Sequence, residues 1–207
     1  MSTFTNFENI NTEFKRITDC KSLQQDFVEN HMMQIKNQEY VELGSLNTMI
    51  TNDNVRNKSN NPVSAFDVAC YVLLKLKDYC STMKLHKILY YCQAWYLVWE
   101  EKPLFTQKIE AWANGPVIRE IFNYHKGMYE ISYDKFNIGN EDNLSKLQKE
   151  DIDSVLDFYG KHSAQWLINQ THIETPWRNA RKGLLPMERG NNEILLCDMQ
   201  EYYSSLK

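Results

Sequence analysis

The chain has 207 residues, 43% of them hydrophobic and 24% charged, with a formal net charge of −4. That is enough chain for one globular domain plus an appendage, with no need for a disulfide or metal staple. The acidic balance argues against a duplex-DNA binder that works by releasing counterions from many phosphates. Five scattered cysteines (Cys20, Cys70, Cys80, Cys92, Cys197) contain no CxxC pair, which excludes a zinc ribbon and a dithiol redox motif.

Residues 1–62 are Asn-rich, lack tryptophan and end in the polar run TNDNVRNKSNNP, which reads as a linker. They are expected to form an N-terminal extension, with the main domain spanning 63–207. Within the extension, Leu23, Phe27 and Met33 share one face of a short helix opened by Ser22. The first residues lack the basic start and apolar run of a secretion signal, so a cytoplasmic protein with reduced thiols is expected.

The main domain opens with Ser64 as the cap of a helix in which Phe66, Ala69, Cys70, Leu73, Leu76 and Cys80 recur at helical spacing. A second helix follows in MKLHKILYYCQAWYLVWEE, with Leu85, Ile88, Leu89, Cys92, Trp95, Tyr96 and Trp99 as a wide apolar stripe. Lys84, Lys87 and Glu100 are assigned to its wet face. Its apolar run ILYYCQAWYLVW, 88–99, is too short for the ~20 residues that cross a bilayer. Aromatics nearly all round this helix require neighbours on several sides or an external partner.

After Pro103, QKIEAW reads as a short strand before a turn at Gly115-Pro116. PVIREIFNYHK then reads as a helix, with Pro116 in its first turn and Val117, Ile121 and Tyr124 facing inward. Residues 128–146 lack a helical period, and one or two short strands are expected around Tyr133 and Ile138. Asp151 is read as the cap of IDSVLDFYGKH and Ser163 as the cap of AQWLINQTH, with a last helix at roughly 191–205. The expectation is a mainly α protein: a compact helical domain of five to six helices with a small β element, plus a partly helical N-terminal extension.

Chemical motifs are sparse. Seven glycines spell neither GxGxxG nor GxxxxGK[ST], so phosphate-binding loops are excluded. His172-Ile173-Glu174 has the form of the zinc deaminase H-x-E, but the P-C-x-x-C that completes that metal site is missing. The plainer reading has His172 ending a helix while Glu174 and Trp177 orient the loop at Pro176. Cys92 and His86 lie six positions apart in one helix and do not share a face, so Cys92 reads as a buried small hydrophobe. Glu110, Glu120 and Glu174 have no spacing that fixes them as a hydrolytic pair. Lys75, Lys77, Lys84, His86 and Lys87, with Arg178, Arg181 and Lys182, form basic clusters. They read as solvated helix faces, or as a surface for an acidic partner or a nucleic-acid backbone.

Two stretches resemble a known family. Lys84 to Trp95 follows the pattern K-L-x-K-[LI]-[LI]-Y-[YF]-x-Q-A-W, Lys102 to Phe105 reads K-P-L-F, and Glu110 to Val117 gives the turn E-A-W-x-x-G-P-V. Farther on, Tyr159 and Gly160 precede a helix ending in T-H-x-E-x-P-W-x-x-A, matched at Thr171, His172, Glu174, Pro176, Trp177 and Ala180. Together these resemble the Panacea domain of SocA-like antitoxins, also called the phage-associated GepA-like family, over roughly 65–205. The extension lies outside the resemblance.

The resemblance implies a non-enzymatic antitoxin of a toxin–antitoxin system that neutralises a companion toxin by direct protein binding, without cofactor, metal or membrane. Its motif residues, and candidate partner-binding positions, are Lys84, Gln93, Trp95, Glu110, Trp112, Gly115, Pro116, His172, Glu174 and Trp177. The alternative is an enzyme or phage-associated regulator with His172 and Glu174 in one pocket. DNA binding for autoregulation is disfavoured by the charge and by the lack of a helix-turn-helix; the homo-oligomeric state is left open. IEAWANGPV is read as a shape-setting corner. Gly115 supplies an unusual backbone angle, and Trp112 fills the seam towards Trp177 while Glu110 or Glu174 accepts an indole N–H.

Overall fold

The computed structural model describes residues 63–206; the expected helix near Leu23–Met33 and the rest of the extension lie outside them. The described chain begins as the sequence suggests. Ser64 caps α1 (Ala65–Leu76), taking the Phe66 N–H on its hydroxyl while Asp67 returns a bond to the Ser64 N–H. This reciprocal pair satisfies amides that a helix start otherwise leaves open. A two-residue strand β1 (Cys80–Ser81) leads into α2 (Thr82–Glu100), whose cap is Ser81.

Every residue of α2 from Leu85 to Val98 is buried. A helix apolar or aromatic all round must be surrounded, and α2 is packed by α1 and by the four elements β3 (Gly115–Ile118), α4 (Lys146–Tyr159), α5 (Ala164–Ile173) and α7 (Leu196–Ser204). The expected need for neighbours on several sides is met within the domain. One assignment is corrected: Lys87, placed on a wet face, is completely buried. A helix enclosed on all sides has no wet face at that height.

The β element is a hairpin of β2 (Ile109–Trp112) and β3, in register Ile109 to Ile118 and Trp112 to Gly115. The turn is Ala113-Asn114; Gly115 and Pro116 lie in the returning strand, and α3 starts only at Arg119 (Arg119–His125). Pro116 is tolerated there because its partner Ala111 sends its N–H to the other edge, to Asn192 O at 2.8 Å. Ile194 N–H likewise donates to Ile109 O at 2.8 Å. This edge pairing draws 192–194 into extended form, so the last helix begins at Leu196 and not at 191.

Two further expectations are corrected. The second small pairing joins β1 to β4 (Glu130–Ile131), whereas Tyr133–Lys135 is a 3-10 turn and Ile138 carries no strand. Helix α4 is capped by Ser145 with Gln148 as its reciprocal partner, which places Asp151 in the second turn, buried. Ser163 caps α5 as expected. The stretch around Pro176, read as a loop, is a short helix α6 (Thr175–Ala180) with Pro176 in its first turn, where no amide donor is required. Seven α-helices are thus present among the described residues, and the protein is mainly α with a small β element.

Candidate functional site

The signature residues converge on α2, and most of them brace the backbone. Gln93, fully buried, accepts the N–H groups of Leu104 and Phe105 on Oε1 at 3.0 and 3.1 Å and donates from Nε2 to Phe105 O at 3.0 Å. One side-chain amide therefore stands in for a strand partner and holds the K-P-L-F loop against the helix. Lys84 donates its ammonium to Gly160 O at 2.5 Å, placing a cation on the C-terminal end of α4. Trp95 donates its indole N–H to the Tyr159 hydroxyl at 3.1 Å, and Tyr159 stacks on Tyr91 with centroids 3.8 Å apart. The Tyr-Gly of the second signature is thereby locked to the first.

Glu174, fully buried between α5 and α6, accepts the Tyr91 hydroxyl at 3.1 Å and the Tyr203 hydroxyl at 2.7 Å. His172, two residues away, instead stacks on Trp177 at 4.1 Å between centroids. Its buried Nε2 has no hydrogen-bond partner. Burial, then the nearby Lys87 and Arg181 charges, bring its pKa down to about 4, so the ring is neutral near pH 7. The two residues of the supposed dyad face different neighbours: the carboxylate serves two tyrosines and the imidazole serves as a flat packing surface. Cys92 is equally remote from the chemistry once weighed for it. Burial pushes its thiol far up, and His86 bonds elsewhere.

The hairpin corner carries a second set of braces. Glu110 accepts the Trp112 indole N–H at 2.7 Å and a two-pronged pair from Arg119, Nε at 2.7 Å and a terminal nitrogen at 2.6 Å. Arg119 also lies 5.4 Å over the Trp112 ring, whose edge meets Phe122. Trp177 donates its indole N–H to Trp112 O at 3.1 Å, which ties α6 to the hairpin. The expected seam between Trp112 and Trp177 is therefore made through a backbone carbonyl, with Glu110 as the indole acceptor. Arg181, which sequence reading left among solvated charges, is buried. It donates to Ala111 O at 3.0 Å and to the carbonyls of Leu185, Pro186 and Glu188, so it fixes the whole 185–188 loop.

Gly115 has φ +100, in the region that side chains avoid, and lies against the end of the Lys87 side chain. Lys87 donates from Nζ to Pro116 O at 3.1 Å. Burial brings its pKa from 10.5 to about 7. Unfolding restores the ordinary value, so between pH 7 and 10.5 the unfolded chain holds a proton that the folded chain has lost, and stability rises with pH. Two processes oppose it: burial raises the Asp151 carboxyl to about 7, so the fold still holds part of that proton at the start of this range, and near pH 9 unfolded cysteines ionise while burial keeps Cys70, Cys80 and Cys92 protonated. From pH 7 to 8.5 the lysine contributes about 2 kcal/mol, at 1.36 kcal/mol per unit. Urea unfolding at the two pH values should show that gain in the wild type and lose it in Lys87→Met; an equal gain in both proteins rules the lysine out.

A feature invisible to spacing lies one residue earlier. His86 and His125, both buried, meet Nε2 to Nε2 at 2.8 Å, joining α2 to the end of α3. His86 Nδ1 accepts the Ile118 N–H at 3.2 Å, so the His86 proton resides on Nε2 and is donated to His125. The His125 proton is then on Nδ1, a buried atom whose polar neighbour is the backbone of His125 itself. Desolvation lowers both imidazoles' pKa values, and this chain of single protons requires two neutral rings. The hint in the sequence was a histidine between two lysines at the start of the aromatic helix.

Both rings line a cleft of about 840 Å³ formed by the hairpin turn, α3 and the 187–191 loop. Of the motif residues only Trp112 lines it, with Glu110 acting through Arg119; Lys84, Gln93, Trp95, Gly115, Pro116, His172, Glu174 and Trp177 do not. Among the described residues no group of three or more His, Cys, Asp or Glu is placed to hold a metal, and no helix is long and apolar enough to cross a membrane.

No curated protein and no solved structure matches the chain. The sequence model of one family, described as antitoxin SocA-like, Panacea domain, matches residues 85–178. That span runs from α2 through the hairpin to α6, and contains every brace residue named above except Lys84, Arg181 and Tyr203. The scaffold that Gln93, Trp95, Glu110, Glu174 and Trp177 hold together is therefore the part of the chain that is similar to the Panacea domain of SocA-like antitoxins.

Proposed function

We propose that this protein is the antitoxin of a toxin–antitoxin pair and that it neutralises its companion toxin by direct binding in the cytoplasm. The match of residues 85–178 to an antitoxin family carries this reading. The distribution of polar side chains supports it: Gln93, Glu174 and Arg181 are consumed in holding the backbone or the tyrosines. The enzyme reading needs His172 and Glu174 to face one substrate, and they serve separate contacts. Residues 1–62 act as an accessory extension to the 63–207 domain, and the partner is a protein in preference to operator DNA, given the net charge of −4.

Co-expression with the protein encoded beside this one tests the proposal. The neighbour alone should arrest growth, the pair should grow, and the two chains should co-elute as one complex. A harmless neighbour, or rescue without any complex, overturns it.

A further inference from the structure

The cleft described above is cationic in an acidic protein. Arg119, Lys126 and Arg189 line it, no aspartate or glutamate among the described residues does, and the whole chain carries −4. Arg119 is neutralised in part by Glu110, but Lys126 and Arg189 have no ion-pair partner among the described residues. Between these charges the lining is apolar and adaptable, from Met83, Trp112, Phe122, Met128 and Met187. Met128 is 48% exposed and Met187 75% exposed, from two separate loops. Neither loop is slack: Arg181 holds the 185–188 carbonyls, and Thr82 N–H and Met128 N–H bond Tyr129 O and His125 O at the other.

The geometry points to this cleft as the docking site for a segment of the partner protein that presents a carboxylate beside a large apolar side chain. Lys126 and Arg189 take the acid, while Trp112, Phe122 and the methionines take the apolar group. The assignment rests on the direct-binding reading above and locates it. Charge complementarity selects an acidic peptide: a nucleic acid needs a long basic track, and the surrounding acidic chain repels a phosphate backbone. Arg119 is the positioning residue, since its two bonds to Glu110 set it over the Trp112 ring.

The test uses the full chain and displayed libraries of short random peptides, selected against the wild type and against Lys126→Glu/Arg189→Glu. The wild type should enrich peptides with Asp or Glu next to an aromatic residue or leucine. A synthetic copy of an enriched peptide should bind the double variant about tenfold or more weakly, at an unchanged melting temperature. The control Lys102→Glu/Lys161→Glu, whose positions are exposed and outside the cleft, should stay within about twofold. No acidic enrichment, equal affinity for the double variant, or binding of a single-stranded oligonucleotide that the same two substitutions abolish would each overturn the assignment. The two proposals fail separately. If the neighbour's complex and its rescue survive Lys126→Glu/Arg189→Glu, the cleft assignment falls and the antitoxin reading stands. If no neighbour is neutralised, the antitoxin reading falls while the peptide selection still decides the cleft.

Discussion

Gln93→Leu should lower the stability of the domain by about 3–5 kcal/mol, although leucine suits a buried helix position and changes little volume. The loss comes from what the amide holds. Without it the Leu104 and Phe105 N–H groups and the Phe105 carbonyl remain buried with no partner, at about 1–3 kcal/mol each before relaxation. Leu104 and Phe105 are themselves fully buried, so the loop cannot reach water without pulling two core side chains out. At a typical urea dependence of about 2 kcal/mol per molar for a domain of this size, the unfolding midpoint should fall by roughly 2 M. Gln93→Met, closer in shape, should fare no better, because the deficit is of hydrogen bonds. A midpoint within a few tenths of a molar of the wild type in either variant would mean that the loop finds other partners, and the clamp would be refuted.

Gly115→Ala should cost about 2–4 kcal/mol for two separable reasons. The backbone there has φ +100, which a residue with a Cβ adopts only under strain of about 1–3 kcal/mol. The added Cβ would also sit 2.5 Å from Lys87 Cε and 3.0 Å from both Lys87 Nζ and Thr171 Oγ1. A lysine tip on the surface would swing aside, but this one is enclosed and bonded to Pro116 O. A double-mutant cycle with Lys87→Ala separates the terms. Thermal or urea unfolding should show that the truncation removes the steric part and leaves the backbone part. If Gly115→Ala alone is as stable as the wild type, neither the angle nor the close approach matters.

Both effects concern residues that sequence reading singled out without knowing their use. Gln93 stood in an aromatic helix as an amide with no evident task, and Gly115-Pro116 was read as a turn followed by a helix. The structure moves the turn two residues earlier and makes Pro116 a strand residue. The reason lies outside the local sequence: segment 192–194 takes the free edge of β2, which fixes the hairpin register in which Pro116 needs no donor. Local rules for proline see only the helix-start option.

The sequence by itself determined the helical skeleton, because that information is local. Ser64 and Ser163 announce their helices through short-range hydrogen bonds, and the aromatic density of 85–98 demands a surrounded helix whatever the topology. Its motif pattern also led to the family now matched over 85–178. The tertiary structure alone decided which charged groups are buried and which residues share the cleft. Lys87, Arg181 and the His86–His125 pair are enclosed by elements that lie up to seventy positions away in the chain, as in the bond from Arg181 to Ala111. Periodicity reports the faces of one element; desolvation and ion pairing depend on what packs against those faces, and that is set only when the chain closes on itself.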